Sequence, residues 1–363
     1  MTSPYGLDLF GDSAAPPPAN TMSKKTGLPA APFSVLDARS GEWQERKRAW
    51  LSLGLKSELG RGENLLKMSD TVLEPDPVKR AAMQAARKAK ADAGEGLTFG
   101  NEHLDEKAQR SLGVYQSFGG AAALERAGGG STGTSIFDPV LVEFLVKGFS
   151  PEGGMVFDPF AGGSVRGVVT TWCNREYTGI DLRKEQIEAN VEQGDVVCKG
   201  RHKPRWICGD SVDSEKLAPG LRADMILSCP PYADLEVYSD DPRDISTMEY
   251  PAFVAAYRKI IAAAVRMLKP DRFAAFVVGD VRDEKGLYRC FDLDTVLAFR
   301  DAGAPLYNRA PLVTPTGTLP LRAGKAFEVS RKLGKAHQDV LVFVKGDPRK
   351  AADHIRACEG VLK

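Results

Sequence analysis

The stretch Met155 to Gly167, read as Met-Val-Phe-Asp-Pro-Phe-Ala-Gly-Gly-Ser-Val-Arg-Gly, constrains this chain more than any other. Three apolar residues run into Asp158. Pro159, Phe160 and the small residues Ala161, Gly162 and Gly163 follow, and after them residues able to start a helix. The pattern predicts a buried strand, a tight glycine turn and a helix N-terminus. Glycine lets backbone approach a ligand more closely than any Cβ permits, and a helix start offers unpaired N–H groups. The Gly-x-Gly-x-x-Gly fingerprint is absent, so a dinucleotide is not the first ligand to consider.

Further short apolar runs end in polar residues downstream. Tyr177 to Leu182 closes on Asp181, where α/β nucleotide sites bind ribose hydroxyls. Arg205 to Asp210 is a third strand ending in an acid, and Ala223 to Tyr232 a fourth, ending in Ser228-Cys229-Pro230-Pro231-Tyr232. With these motifs in view, the chain resembles the S-adenosylmethionine-dependent methyltransferases that act on exocyclic amino groups of DNA bases. Asp-Pro-Phe-Ala-Gly is similar to their cofactor loop, and Cys-Pro-Pro-Tyr to their catalytic Asp/Asn/Ser-Pro-Pro-Tyr/Phe. The resemblance spans roughly Thr134 to Lys345 and extends to bacteriophage DNA methylases, where both motifs occur together. Either motif alone is weakly specific, whereas the pair, in order and on successive strand ends, is specific.

The resemblance implies S-adenosylmethionine as cofactor. Asp158 then anchors the loop or the amino acid moiety, and Pro159, Phe160, Ala161, Gly162, Gly163 and Ser164 pass along the ligand. Asp181 with Leu182 binds the ribose, Asp210 with Ser211 the adenine, and Thr134, Ser135 and Phe137 lie at the methionine end. Asp158 and Asp210 as plain strand-end caps are the competing reading, set aside because three consecutive strands end in acids. Ser164 stands where the family has its second loop glycine, and a serine is tolerated there only at negative φ.

An exocyclic amino nitrogen is conjugated into its ring and is a poor nucleophile. Accepting its hydrogen bonds localises the lone pair, and in the family the residue before Pro-Pro does this with a backbone carbonyl. Tyr232 matches the aromatic that stacks on the flipped base. Cys229 departs from the pattern, a weak acceptor shaped like serine, and Ser228 is a candidate to share its role. The serine form goes with cytosine N4 and the aspartate form with adenine N6, so Cys229 leans toward cytosine. Two alternatives stay open. Cytosine-C5 methyltransferases attack with a Cys thiolate, normally preceded by Pro where this chain has Ser228. A catalytically silent DNA-binding module of the same fold also fits.

Double-stranded DNA is the implied partner. The net charge of +1 does not advertise it, but a local patch is what attracts phosphate. The most basic stretch, between the last two strands, carries Arg322, Lys325, Arg331, Lys332, Lys335 and His337. Its position beside the strand ends favours a phosphate clamp over a solvated hairpin loop. A second basic segment, Pro77 to Ala93, reads as a helix with a solvated face rather than a DNA contact.

Alternating strands and helices predict an α/β fold, a Rossmann-like doubly wound, seven-stranded, mostly parallel methyltransferase sheet. The expected organisation is a flexible leader over 1–32, a helical or irregular extension over 33–133, the catalytic domain over 134–347 with its basic insert at 316–338, and a tail over 348–363. Trp43, Trp50 and Leu51 sit on an amphipathic segment, read as packing onto the catalytic domain in preference to contacting DNA. The last strands are expected at Pro311–Thr314 and Asp339–Lys345. Six cysteines without metal-ligand spacing predict no metal site and no disulfide framework. No apolar run of membrane-spanning length is present, so the expected location is the cytoplasm of a bacterial or phage-infected cell.

Overall fold

The computed structural model describes residues 27–56, 137–232, 238–239, 241–283, 285–317 and 319–359. The predicted leader to residue 26, the 77–93 helix, the glycine-rich 119–133 tract and the cofactor candidates Thr134 and Ser135 lie outside them.

Along the chain come β1 (Leu36–Asp37), α1 (Gly41–Leu51), α2 (Pro139–Phe149), β2 (Met155–Asp158), α3 (Val165–Trp172), β3 (Glu176–Asp181), α4 (Lys184–Val197) and β4 (Arg205–Cys208). A short α5 (Ser214–Leu217), β5 (Ala223–Ser228), α6 (Tyr250–Met267), β6 (Leu268–Val278), α7 (Phe291–Asp301) and β7 (Leu306–Val313) follow. The chain then forms α8 (Leu319–Ser330), β8 (His337–Lys345) and α9 (Pro348–Glu359).

One eight-stranded sheet runs in the order β1-β7-β8-β6-β5-β2-β3-β4. Every pairing is parallel except those of β8 with β6 and β7, so β8 alone runs against the rest. This is the Rossmann-like sheet expected, with the two-residue β1 added outside β7. From β2 the chain winds outward through β3 and β4, then returns to place β5 on the other flank of β2. That reversal makes β2 and β5 the switch point, where the carboxyl ends of open α/β strands leave a crevice.

Alternation fixes the two faces. Val156, Met225, Leu227, Phe273 and Ala275 join one buried cluster with residues of α2, α3 and α4. Phe157, Ile226, Ala274 and Phe276 point into the other, under α6 and α7. Neighbouring residues of a strand face opposite sides, so both faces must be apolar when both are covered.

The stretch after residue 33 packs onto the sheet, as read from its tryptophans. Trp43 and Trp50 are buried, and Arg46 bonds the fully buried Glu143 of α2. Trp50 Nε1 donates to the same carboxylate at 2.9 Å, and Trp43 Nε1 to Asp138, the N-cap of α2, at 3.1 Å.

Several boundaries differ from expectation. β7 begins at Leu306, not Pro311, and β8 at His337, not Asp339. The tail contains α9, whose Ala351 and Ile355 are buried one helical turn apart. The basic insert holds a helix where a hairpin loop was the alternative to a clamp, and residues 322–333 belong to a second compact unit.

Candidate active site

The carboxyl ends of β5, β2, β3 and β4 stand side by side, and the residues singled out in the sequence fall on them. Asp158 ends β2, fully buried, with both oxygens spent. Oδ1 accepts from Phe160 N at 3.0 Å and from Ser228 Oγ at 2.5 Å. Oδ2 accepts from Arg166 Nε at 2.6 Å and Tyr177 Oη at 2.9 Å. Of its two expected roles, Asp158 therefore performs loop anchoring, and its lone pairs are used up without a ligand. Ser228 is fully buried and gives its proton to that carboxylate, keeping the lone pairs of its hydroxyl.

Arg166, the second residue of α3 and only 5 % exposed, went unassigned from the sequence. Its Nη2 donates to the carbonyls of Phe160 (2.5 Å) and Ala161 (3.0 Å), and its guanidinium lies 4.7 Å from the centre of the Phe137 ring. A buried cation paired with Asp158 and gripping two loop carbonyls sets the loop's shape. An arginine on an otherwise apolar helix start was the available signal.

Gly162 makes the turn at φ +47, a left-handed conformation, while Ser164 sits at φ −66 as its side chain requires. Gly162 is held at both ends, its N–H on Asp181 Oδ2 at 2.9 Å and its carbonyl accepting from Asn190 Nδ2 at 2.6 Å. Ser164 Oγ is buried and has no hydrogen-bond partner among the described residues. An orphaned hydroxyl at this turn, beside the free N–H groups of α3, fits a polar ligand seated on the loop.

Asp181, at the end of β3, also accepts from Arg183 N at 2.9 Å, leaving each oxygen a lone pair for a further donor. Burial pushes its carboxyl above the ordinary aspartate value, partly opposed by the bonds from Arg183 and Gly162. Leu182 is partly exposed beside it. Asp210 caps the short turn Ser211–Asp213 by accepting from Val212 N at 2.9 Å, and Ser211 Oγ donates to the carbonyl of Pro159 at 2.5 Å. Asp210 thus performs the capping role, with one oxygen outside that bond.

Beyond β5, Cys229 Sγ lies 3.3 Å from Tyr232 Oη, and Gln338 Nε2 donates to that hydroxyl at 2.8 Å. Gln338 gave no signal in the sequence. It reaches the site because β8 runs backwards and brings its first residues to this edge. The Tyr232 ring packs edge-on to Phe291 at 6.4 Å and presses on Gly279, where a Cβ would come within 3.1 Å of it. Pro230 is buried and Pro231 partly exposed.

Of the basic insert, Lys335 is half-buried and donates from Nζ to the carbonyl of Asp280 at 3.1 Å. Burial lowers its pKa, against the pull of Asp280, Asp339 and Asp292. His337 is exposed at the start of β8. In the second unit, Lys325 and Arg331 are exposed, Lys332 is partly so, and Arg331 lies over the Phe327 ring at 5.3 Å.

No protein-family model matches the sequence, and no curated protein does. Solved structures are similar over part of the chain. TrmN from Thermus thermophilus is 16 % identical at a TM-score of 0.39, over 58 % of this chain and 49 % of its own. A putative RNA methyltransferase from Pyrococcus horikoshii is 14 % identical at 0.37, over 58 % and 83 %. The magnesium protoporphyrin IX methyltransferase of Synechocystis, with bound SAM, is 11 % identical at 0.37, over 68 % and 100 %. At these values the matches add nothing to what the strand order gives. Among the described residues no helix is long and apolar enough to cross a membrane.

Proposed function

We propose that the chain is an S-adenosylmethionine-dependent methyltransferase acting on an exocyclic amino group of a base in double-stranded DNA, cytosine N4 ahead of adenine N6. One observation carries the reading. The glycine turn after Asp158, the acids Asp181 and Asp210, and Cys229-Pro-Pro-Tyr232 occupy the carboxyl ends of four adjacent strands across the switch point. Three of these features are what a nucleoside with an amino acid tail needs, and the fourth is what a flat base needs.

On this reading Asp181 accepts the ribose hydroxyls, Asp210 takes the adenine amino group, and Ser164 Oγ with the α3 N–H groups meets the amino acid end. Bound there, S-adenosylmethionine supplies a methyl group on a positively charged sulfur. Cys229 Sγ and the backbone carbonyls held by Pro230 and Pro231 accept from the target amino group, since Cys229 is partly exposed and Ser228 fully buried. Tyr232 stacks on the base, and Gln338 holds its hydroxyl, so less rotamer freedom is lost when a base arrives.

A second reading keeps Cys229 as a nucleophile toward ring carbon 6 of cytosine. It is favoured by the thiol itself, which stands where the amino-methyltransferase pattern has Asp, Asn or Ser. The two part at one substitution. Amino methylation predicts that Cys229→Ser keeps much of the transfer activity, because a hydroxyl accepts at least as well as a thiol. Tyr232→Ala then costs about 10–100-fold, the worth of base–aromatic stacking. DNA containing 5-fluorocytosine forms no covalent complex. A denaturation-resistant adduct at Cys229 contradicts amino methylation and installs the C5 reading.

A further inference from the structure

Between the end of β6 and the start of α7 the chain leaves the sheet as a narrow finger, and no role described so far uses it. Asp280 closes its base by accepting from both Val281 N (2.9 Å) and Phe291 N (3.1 Å) on Oδ1. Above that, Arg282 and Tyr288 form an antiparallel bridge, and Arg289 N donates to Val281 O at 2.9 Å. Asp283 shapes the tip. Its N–H donates to Leu287 O at 2.8 Å, its carbonyl accepts from Gly286 N at 2.9 Å, and its carboxylate accepts from Leu287 N at 2.8 Å. Gly286 supplies the left-handed residue at φ +85.

This dense bonding holds an apolar side chain out in water, with Leu287 64 % exposed. Tyr288 beside it is 43 % exposed and carries the Arg282 guanidinium 3.7 Å from its ring centre. Lys285 is exposed at the same tip, next to Asp283, whose carboxylate accepts from Leu287 N, and to Glu284, which lies outside the described residues. The finger rises directly beside Tyr232, whose ring touches Gly279 just before its base and Phe291 just after it.

We propose that this finger is a wedge for duplex DNA, with Leu287 entering the base stack beside the target nucleotide. The proposal rests on the base-methylation reading. A base reaches Tyr232 only by leaving the helix, which costs unstacking, and apolar side chains on rigid supports offset that cost by filling the gap. A leucine on a loose loop would lose backbone entropy on entering the stack, and the Asp283 bonds to the Leu287 N–H and carbonyl reduce that loss beforehand.

The test compares methyl transfer to native and to heat-denatured unmethylated bacterial DNA, using the full chain, Leu287→Ala and Leu287→Met. The wild-type chain is expected to act on both substrates. Leu287→Ala is expected to lose about tenfold on native DNA and to stay within about twofold on denatured DNA, where no stack has to be opened. Leu287→Met, of similar bulk, keeps most of the native activity. Equal losses on both substrates, no loss on native DNA, or a wild-type chain inactive on denatured DNA overturns the wedge while leaving base methylation in place. No transfer by the wild-type chain to either substrate overturns both.

Discussion

Asp181 keeps a lone pair on each oxygen after satisfying Gly162 and Arg183. Hydrogen bonds to a charged acceptor are worth roughly 1.5–3 kcal/mol, so Asp181→Ala is expected to weaken S-adenosylmethionine binding by about 10–100-fold in calorimetry, with the fold intact. The carboxyl's raised pKa adds a pH signature. As pH falls, the ionised form that accepts the hydroxyls is lost earlier than for an ordinary aspartate. Affinity therefore declines on acidification from above the usual carboxylate range, and Asp181→Asn, with no proton to gain there, lacks that decline. An affinity indifferent to Asp181→Ala removes the ribose assignment. The acid was legible in the sequence because it ends an apolar run. Its partners were not. The saturation of Asp158 by Arg166, Tyr177 and Ser228 joins residues from four separate elements, and no local pattern reports such a meeting.

At the scale of elements, α1 is fastened to α2 through one buried carboxylate, Glu143, which takes Arg46, Trp50 and Lys147 together. Removing one partner of a buried ion pair leaves the other charge stranded, at a cost of about 3–5 kcal/mol. Glu143→Ala is expected to lower the melting temperature and to open the 33–56 segment to limited proteolysis. An unshifted melting curve contradicts this account of how the segment docks. The tryptophan pattern made the docking legible, while β1, two residues long, is too short to leave any periodicity. In the insert, Pro320 near the start of α8 was a usable helix signal that the glycines and charges around it obscured. Its cations remain candidates for phosphate contact. Arg331→Ala with Lys332→Ala is expected to weaken DNA binding and reduce its salt slope by up to about 2, because each phosphate contact releases counterions. Unchanged affinity and slope make the insert a solvated surface. Lys335 is better varied separately, since its ammonium is tied to the Asp280 carbonyl.

For the whole molecule, the winding of the chain decides where chemistry is possible. Strands β2 and β5 are neighbours in the sheet though far apart in sequence, which brings the Asp158 turn and Cys229 to adjacent strand ends. Antiparallel β8 then delivers Gln338 and Lys335 to the same edge. Seven of the eight strands and the alternation of faces were readable from apolar runs, as was the position of the motifs on strand ends. The contribution of β8 was not, because strand direction is set by pairing across the sheet. The central claim is methyl transfer from S-adenosylmethionine to a base amino group, and one measurement addresses it. Unmethylated DNA is incubated with the chain and isotope-labelled S-adenosylmethionine, digested to nucleosides, and the labelled nucleoside identified by mass and fragmentation. The account predicts label in N4-methylcytidine-type deoxynucleoside, with N6-methyldeoxyadenosine as the form that changes only the base. Label on cytosine C5, or DNA left without label, contradicts it.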